Sequence, residues 1–440
     1  MDSMKIGGVS CIELAERFGT PLYVYDEEKI ISQAKDALEG FSSDMFETEV
    51  VYASKAFSSI ALFRLLSSLG IGLDVVSGGE LYGAVKAEAD MSKVYFHGNN
   101  KSDEEIEKAL EQGVGCFVID NIMECRRLIK LAEKTGKHTG AVIRINPGIS
   151  AHTHEYIMTA GPDSKFGIHI EDRELIAETS KLLRESRYVD HRGYHSHIGS
   201  QIVDVRSFEK AIDTMTDFIK EMQESLGQKT CGEEGTELSI GGGFGIKYVD
   251  EDNPVSLGQM CRAMVKYTER CIREKGVKIS KLVTEPGRAM VGEAGYTIYT
   301  VGDMKKSGDR DYIFVDGGMS DNIRPALYGA EYKAVLAGRR EDVQMEEGTS
   351  ESEGKDSLRT YCIAGKNCES GDVLIEKAEL PEVRPKDLIV ICSTGAYGYS
   401  MASNYNRLGR PPVVFAKDGE ARLIIRRETY EDQFRLEAED

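Results

Sequence analysis

The chain lacks several features that mark whole classes of protein. No run approaches the ~20 apolar residues of a transmembrane helix, and the first residues, MDSMKIGGVSCIELAERFG, show no basic-then-apolar signal-peptide pattern. Positive charge is in deficit, because 74 acidic residues outnumber 55 basic ones and give a net charge of −19. We therefore expect neither a membrane protein nor one that binds nucleic acid or an anionic membrane surface.

The cysteines also lack an informative pattern. There are nine of them, an odd number, and no CxxC pair occurs. This arrangement favours neither a disulfide framework nor a zinc site. We therefore expect a cytoplasmic protein without a bound metal.

What the chain does contain is an alternation of eight strand-like apolar runs with helix-like segments. The runs are VVYASK, LDVVSGG, VYFHGNN, CFVIDN, AVIRINPG, GYHSHIGSQ, LSIGGGFG and LVTEPGR. This alternation predicts a (β/α)8 TIM barrel, whose chemistry takes place at the carboxyl ends of its strands. Those ends carry Lys55, His97, Arg144, His197, Gly241–Gly243, Glu285 and Arg288.

A second domain follows from the pattern after Arg288. There, β-rich runs are joined by Gly, Asp and Pro turns with little helix between them, which predicts a mainly antiparallel β domain. TPLYVYD (20–26) is a further strand that could pair with this domain. We predict a barrel at 28–288 and a discontinuous β-rich domain formed by 1–27 and 289–440. A polar loop is expected at 152–167 and an acidic surface loop at 341–358.

Lys55 and the glycine run suggest cofactor chemistry, although each has an ordinary alternative. A lysine at a strand end can simply reach solvent. Buried among apolar neighbours, it would have a depressed pKa and could form a Schiff base with an aldehyde. IGGGFG (240–245) offers backbone N–H groups that suit a phosphate, and it fits a Rossmann fingerprint poorly.

Glu285 and Arg288, in TEPGR, could form a surface ion pair. Beside a lysine and a phosphate loop, however, a carboxylate can keep a pyridine nitrogen protonated. The resulting pyridinium accepts electrons from a substrate carbanion, which is the chemistry of pyridoxal 5′-phosphate (PLP).

Two other motifs have more than one interpretation. His195 and His197 flank Ser196; we expect at most one of them to face the barrel interior, and irregular spacing disfavours a metal site with Glu155. NCESGDV places Cys368 beside Glu369. This segment is either an ordinary β-turn with a buried cysteine or a site at which the thiol moves a proton.

Taken together, these motifs resemble those of the diaminopimelate decarboxylases, which belong to the fold-type III PLP enzymes together with ornithine and arginine decarboxylases. The resemblance extends from GTPLYVYDE, at about residue 19, to RRETYED, near residue 432. It is carried by VYASKAF, LDVVSGGEL, HGNNKS, RINPGI, SKFGIH, HSHIGSQ, GGGFG, EPGR, DGGMSDNIRPALYGA, CESGD and STGAYGYSMASNYN, which occur in the family's order.

The resemblance implies PLP as cofactor, decarboxylation of meso-2,6-diaminopimelate to L-lysine and CO2, and a homodimer with shared active sites. Lys55 would bind PLP covalently, His197 would stack on its ring, and Glu285 would pair with the pyridine nitrogen. The phosphate would be held by Ser200, Gly241, Gly242, Gly243, Pro286, Gly287, Arg288 and Tyr397. The substrate would be received by Arg288, Arg324, Tyr328, Glu369 and Tyr397. Cys368 of the neighbouring subunit would donate a proton.

Three alternatives remain beside this interpretation. A racemase of the same fold would typically place an arginine at the pyridine nitrogen, which the glutamate of TEPGR disfavours. An ornithine or arginine decarboxylase would need only acidic recognition of a distal cation, whereas Arg324 suits a second carboxylate and Glu369 suits an ammonium group. A non-catalytic binding protein would not need both Lys55 and Cys368.

Overall fold

The structure, a computed structural model, describes residues 3–149, 164–225, 235–339 and 358–438. They form two compact units. The barrel unit comprises Ile31–Ile246 and Asn253–Met290, and the β unit comprises the other segments, including the short stretch Lys247–Asp252. Within the described ranges, no helix is both long and apolar enough to cross a membrane. Most of the polar loop predicted at 152–167 and nearly all of the acidic loop predicted at 341–358 lie outside the described residues.

The chain begins in the β unit. Strands β1 (Lys5–Ile6) and β2 (Val9–Ser10) pair with each other and lead into α1 (Cys11–Phe18). Ser10 caps this helix, because its Oγ accepts a hydrogen bond from the backbone N–H of Glu13 (3.1 Å). Strand β3 (Leu22–Asp26) follows, as predicted from TPLYVYD, and α2 (Glu27–Gly40) then leads to the barrel.

Among the described residues, eight parallel strands close into the predicted barrel. The eight strands of the ring are β4 (Glu47–Ala53), β5 (Gly72–Val75), β6 (Val94–Phe96), β7 (Cys116–Ile119), β8 (Thr139–Asn146), β10 (Val189–Ser196), β11 (Thr236–Ser239) and β12 (Ile279–Thr284). A short additional strand, β9 (Ile168–His169), pairs only with β8. The ring closes because β8 pairs directly with β10, and β12 pairs with β4. Buried side chains such as Val51, Tyr95 and Val142 pack together, as in the filled interior of such barrels.

Helices separate the barrel strands. They are α3 (Ile60–Ser68), α4 (Gly78–Lys86), α5 (Asp103–Gln112), α6 (Ile122–Thr135), α7 (Arg173–Glu185), α8 (Val205–Ser225) and α9 (Leu257–Lys275). Helix α5 has a capping box, in which Ser102 Oγ accepts from the N–H of Glu105 (3.2 Å) and Glu105 Oε2 accepts from the N–H of Ser102 (3.0 Å). Gly113 ends the helix in the left-handed conformation, at φ +77°.

After α10 (Arg288–Val291) the chain builds the sheet of the β unit. Its further elements are β13 (Gly295–Ser307), β14 (Arg310–Val315), α11 (Arg324–Tyr328), β15 (Ala334–Gly338), β16 (Arg359–Ala364), β17 (Val373–Leu380), β18 (Leu388–Ile391), β19 (Val413–Lys417), β20 (Glu420–Ile425) and α12 (Tyr430–Phe434). The main strand order is β17-β16-β14-β13-β3-β19-β20. Most pairs are antiparallel; β14–β16 and β19–β3 are parallel.

The N-terminal strand β3 lies inside this sheet, between β13 and β19. The sheet of the β unit therefore combines segments that are distant in sequence. Strands β15 and β16 were not predicted. The first is short and rich in alanine and glycine, which are depleted in strands.

Candidate active site

Lys55 lies at the carboxyl end of β4, in the 3-10 turn Ser54–Ala56. The backbone N–H of Ala53 donates to the carbonyl oxygen of Pro286 (3.2 Å). A Cβ built on Gly287 would lie 3.0 Å from the Cβ of Ala53. The lysine strand and the EPGR segment are therefore in close contact at the barrel mouth. Lys55 itself is exposed, so the burial invoked in the sequence argument for its reactivity is wrong.

The glycine run Gly241–Gly243 follows β11 and is packed against neighbouring backbone. A Cβ at Gly242 would lie 1.9 Å from the carbonyl oxygen of Glu285, and one at Gly243 would lie 2.2 Å from that of Gly199. Gly241 and Gly243 also have positive φ, +67° and +107°. Glycine is therefore required here, and a backbone without side chains can approach an anion closely.

Two other predicted phosphate ligands contact each other. The Arg288 guanidinium donates from Nη2 to Ser200 Oγ (2.9 Å), and Arg288 is buried. A cation and a hydroxyl thus lie together in the barrel unit that holds the glycine run. This donor set fits the phosphate of PLP.

Glu285 is buried, and both of its carboxylate oxygens are engaged. Ser239 Oγ donates to Oε1 (2.7 Å), and His195 Nε2 lies 3.0 Å from Oε2. Burial opposes ionisation, but the adjacent imidazoles of His195 and His97 and the hydrogen bonds from His195 and Ser239 outweigh it and hold the pKa of Glu285 well below its usual value. The carboxylate therefore remains an anion in a buried site, which fits a protonated pyridine nitrogen.

Asp74 and His97 lie beside this carboxylate. His97 Nε2 is 3.5 Å from Glu285 Oε1 and 3.9 Å from Asp74 Oδ1. Burial lowers the pKa of His97 well below its usual value, whereas burial and the Glu285 charge raise the pKa of Asp74 well above its own. At a pH between the two pKa values, Asp74 is therefore protonated and Glu285 is ionised. Two neighbouring carboxyl groups with divergent pKa values are typical of active sites.

Both histidines of the HSH motif contact the carboxyl-end residues, so the expectation that at most one would face inward is wrong. His195 contacts Glu285, and the Nδ1 of His197 accepts a hydrogen bond from the N–H of Gly242 (3.3 Å). The physical reason is that residues two apart on a strand point to the same face. The metal site weighed for His195 and Glu155 is not tested, because Glu155 lies outside the described residues.

Arg324 belongs to the β unit and begins α11. Its guanidinium is buried, and Nη1 donates to the hydroxyls of Tyr248 and Tyr332. Tyr328 ends the same helix and is 36% exposed, so its side chain is accessible to a small molecule.

The turn that carries Cys368 and Glu369 is also in the β unit. Cys368 is exposed, which contradicts the alternative of a buried cysteine in an ordinary turn. Its backbone N–H donates to Asn406 Oδ1 (2.7 Å), and the Tyr405 hydroxyl donates to Glu369 Oε2 (3.3 Å). The thiol and the carboxylate are thus presented on the surface of the β unit.

Asp372 anchors this turn to the segment that precedes Arg324. Its Oδ1 accepts from the N–H of Met319 (2.6 Å). Its Oδ2 accepts from the backbone N–H and the side-chain amide of Asn367, both at 2.8 Å. The CESGD and DGGMSDN motifs are therefore joined through one buried carboxylate.

Tyr397 is half-buried and adopts φ +60°, a left-handed conformation that is uncommon for a tyrosine. Residues in sparsely populated backbone regions cluster at functional sites. This observation agrees with the predicted location of Tyr397 in an active-site loop.

The sequence analysis missed several residues that position the predicted ones. They are Asp74, Ser239, Tyr248, Tyr332, Asp372, Tyr405 and Asn406. Most of them lie inside or next to the recognised motifs, and this proximity was the only indication of their role in the sequence. Most of their partners were not evident, because most of the contacts join segments that are far apart in sequence, such as Ser239 with Glu285 and Tyr248 with Arg324.

The comparisons with known proteins agree with this geometry. Residues 27–292 match the family model described as the pyridoxal binding domain of pyridoxal-dependent decarboxylases. Diaminopimelate decarboxylases of Halalkalibacterium halodurans and Bacillus subtilis are each 44% identical to the chain over 435 residues, covering 99% of it and 95% of each relative. The crystal structure of a diaminopimelate decarboxylase from M. jannaschii in complex with L-lysine has a TM-score of 0.89 and 34% identity, and the match covers 100% of this chain and 96% of that one. The chain therefore belongs to the diaminopimelate decarboxylase family of pyridoxal-dependent enzymes.

Proposed function

We propose that the protein decarboxylates meso-2,6-diaminopimelate to L-lysine and CO2 with PLP as cofactor, the last step of lysine biosynthesis. The observation that carries the proposal is the buried carboxylate of Glu285 at the barrel mouth, held by Ser239 and His195. An anion in this position can pair with the protonated nitrogen of a pyridine ring. The exposed Lys55, the glycine run and the Ser200–Arg288 pair supply the other groups that PLP needs.

When bound, PLP supplies an electron sink for the pair left by the departing carboxylate. In this chain Lys55 would hold the cofactor covalently, His197 would stack on its ring, and Glu285 would keep the ring nitrogen protonated. Gly241–Gly243, Ser200, the backbone of Pro286–Arg288 and Tyr397 would hold the phosphate.

The substrate has two amino-acid centres, of which only one reacts. Because the product is L-lysine, the L centre is retained and the D centre loses its carboxylate. Arg324 would bind the retained carboxylate and Glu369 the retained ammonium group, with Arg288, Tyr328 and Tyr397 completing the substrate contacts. Cys368 would donate the proton that replaces CO2 at the reacting carbon.

We also propose a cytoplasmic homodimer with shared active sites and no nucleic-acid or membrane partner. In this arrangement residues 28–288 bind PLP, and residues 1–27 and 289–440 contribute to the interface. Cys368 would reach the barrel of the neighbouring subunit. The exposure of Cys368 and Glu369 supports a role on a surface that meets another chain.

Incubation of the purified, PLP-loaded protein with meso-diaminopimelate tests the proposal. We expect stoichiometric lysine and CO2, with much slower turnover of ornithine and arginine. Borohydride should fix the cofactor on the peptide that contains Lys55, and Lys55→Ala should abolish both the label and turnover. A preference for ornithine or arginine would contradict the substrate assignment, and a label on another lysine would contradict the assignment of Lys55.

A further inference from the structure

Arg324 is a buried cation whose protein partners are uncharged. Its exposure is 5%. Among the residues that the structure describes, no carboxylate forms an ion pair with it, and the groups that act on it are tyrosines. A buried charge without a counter-ion is costly. The site therefore favours an anionic ligand that forms an ion pair with Arg324.

Two tyrosines bracket the guanidinium. Nη1 donates to Tyr332 Oη (2.6 Å) and to Tyr248 Oη (3.0 Å). The guanidinium carbon lies 5.2 Å from the Tyr248 ring centroid and 5.7 Å from that of Tyr332. The two rings are edge-to-face, with centroids 5.3 Å apart. One nitrogen and the plane of the guanidinium are thus fixed by the same pair of side chains.

This arrangement restricts the arginine without neutralising it. A tyrosine hydroxyl accepts a hydrogen bond but brings no full negative charge. Both hydroxyls engage Nη1, and no acceptor among the described residues engages the N–H groups of Nε and Nη2, which can therefore donate to a ligand. That edge of the fork matches a carboxylate in bidentate geometry.

The segment that carries Tyr248 is held in place independently of Arg324. The backbone N–H groups of Tyr248 and Val249 donate to Asp252 Oδ2 (2.9 and 3.1 Å). Lys333 Nζ donates to Asp250 Oδ2 (2.7 Å), and Ser393 Oγ donates to the carbonyl oxygen of Lys247 (2.9 Å). The backbone of Tyr248 is therefore held in place. A residue that orients another side chain needs such a fixed backbone.

Tyr332 is fixed by packing. It is 4% exposed and belongs to a hydrophobic cluster with residues such as Tyr299, Ile363 and Leu374. Its ring therefore has little freedom to follow a moving arginine.

We propose that Tyr248 and Tyr332 are positioning residues that orient Arg324 toward the carboxylate of the retained amino-acid centre, and that they thereby set the preference for substrates with two such centres. The inference rests on the proposed function, which assigns Arg324 to that carboxylate. It adds the two residues that determine how selectively the arginine acts.

The test compares PLP-loaded parent enzyme with Tyr248→Phe, Tyr332→Phe and the double variant. The contact is remote from the reacting carbon, so it contributes equally to ground-state and transition-state binding and its loss raises KM rather than lowering kcat. We expect the KM for meso-diaminopimelate to rise about tenfold in each single variant, with little change in kcat. The inhibition constant of L-lysine should rise in parallel, because lysine keeps the same carboxylate.

Two controls separate positioning from general damage. Tyr299→Phe removes another buried tyrosine hydroxyl from the same cluster, and that hydroxyl has no hydrogen-bond partner among the described residues; its kinetics should match the parent. D-lysine presents the reacting centre but no second carboxylate. Its binding, followed by cofactor absorbance, should be unchanged in every variant.

An unchanged KM in the double variant would overturn the inference. Equal weakening of D-lysine and meso-diaminopimelate would also overturn it, because the damage would then not be specific to the second carboxylate. A parent enzyme that fails to decarboxylate meso-diaminopimelate would instead refute the proposed function, and the inference with it.

Discussion

Among single residues, the two buried carboxyl groups of the barrel mouth show how neighbouring groups decide whether a buried acid is ionised. Asp74 and Glu285 are both buried, yet their pKa values move in opposite directions. Glu285 receives hydrogen bonds from Ser239 and His195, whereas Asp74 Oδ1 has no hydrogen-bond partner among the described residues. Burial disfavours both ions, and the neighbouring imidazoles of His195 and His97, together with these hydrogen bonds, lower the pKa of Glu285.

Replacing Glu285 by glutamine tests this account. The substitution preserves the shape and removes the charge, so PLP should still bind while decarboxylation slows by orders of magnitude, each tenfold loss corresponding to about 1.4 kcal/mol of the barrier. Cofactor absorbance and single-turnover rates measure the two effects. A glutamine variant that turns over at the parental rate would show that the carboxylate does not support the electron sink.

Asp321 gives a pH prediction for stability. Burial raises its pKa to about 7, partly offset by a hydrogen bond from the N–H of Gly318. The unfolded chain ionises this carboxyl group near pH 4, so from about pH 4 to pH 7 the folded state holds a proton that the unfolded state has lost. The stability contribution of Asp321 is therefore fully present below about pH 4 and is lost as the pH rises to about 7.

The variant Asp321→Asn keeps an acceptor for Gly318 and cannot ionise. Its melting temperature should exceed that of the parent at pH 8, and the difference should vanish near pH 4. Thermal unfolding of both proteins across this range measures the effect. An equal difference at both pH values would mean that ionisation of Asp321 is not its cause.

At the scale of elements, function depends on how loops are tied to the ends of strands. Residues of the β11 and β12 ends meet through the Ser239–Glu285 contact, and EPGR is tied to β4 through Ala53 and Pro286. In the β unit the Cys368 turn, just before β17, is tied through Asp372 to the loop that follows β14. Each loop is attached to the end of a strand, and its conformation is held by contacts with a neighbouring segment.

Removal of the Asp372 carboxylate should release the Cys368 turn. Asp372→Ala leaves the N–H groups of Met319 and Asn367 without their acceptor, at a cost of about 1–3 kcal/mol for each buried donor. We expect a lower melting temperature and a lower kcat, with PLP still bound. Glu376→Ala, on the following strand β17 and in an exposed ion pair with Arg310, should change neither.

A kcat that is unaffected in Asp372→Ala, despite a lower melting temperature, would mean that the turn does not need this anchor for catalysis.

At the scale of the whole molecule, the proposed homodimer predicts complementation between inactive subunits. Lys55→Ala and Cys368→Ala should each be nearly inactive alone. Random exchange places half of the subunits in mixed C2 dimers, each of which has one intact site of two. About a quarter of the parental activity should therefore return, as measured by lysine formation after exchange. Complete exchange, verified by mass spectrometry, without any recovery would place Cys368 in the active site of its own chain or in none.

The barrel and the residues at its strand ends could be predicted from the sequence, because they follow from local periodicity. Apolar runs of strand length that end in polar or glycine residues alternate with capped helices, and this pattern has few solutions. The pattern of TPLYVYD also predicts the strand that the structure has at Leu22–Asp26. The family's motifs, taken in order, identified the chemistry.

Which of these residues contact one another could not be predicted from the sequence and is seen in the folded chain. Ser239 and His195 contact Glu285 across 46 and 90 residues of sequence, and Tyr248 contacts Arg324 across 76. No local pattern encodes such pairs, because they depend on which strand ends become neighbours when the sheets close. The exposure of Lys55 and the opposite pKa directions of Asp74 and Glu285 were decided in the same way, since burial and hydrogen-bond partners are properties of the folded chain.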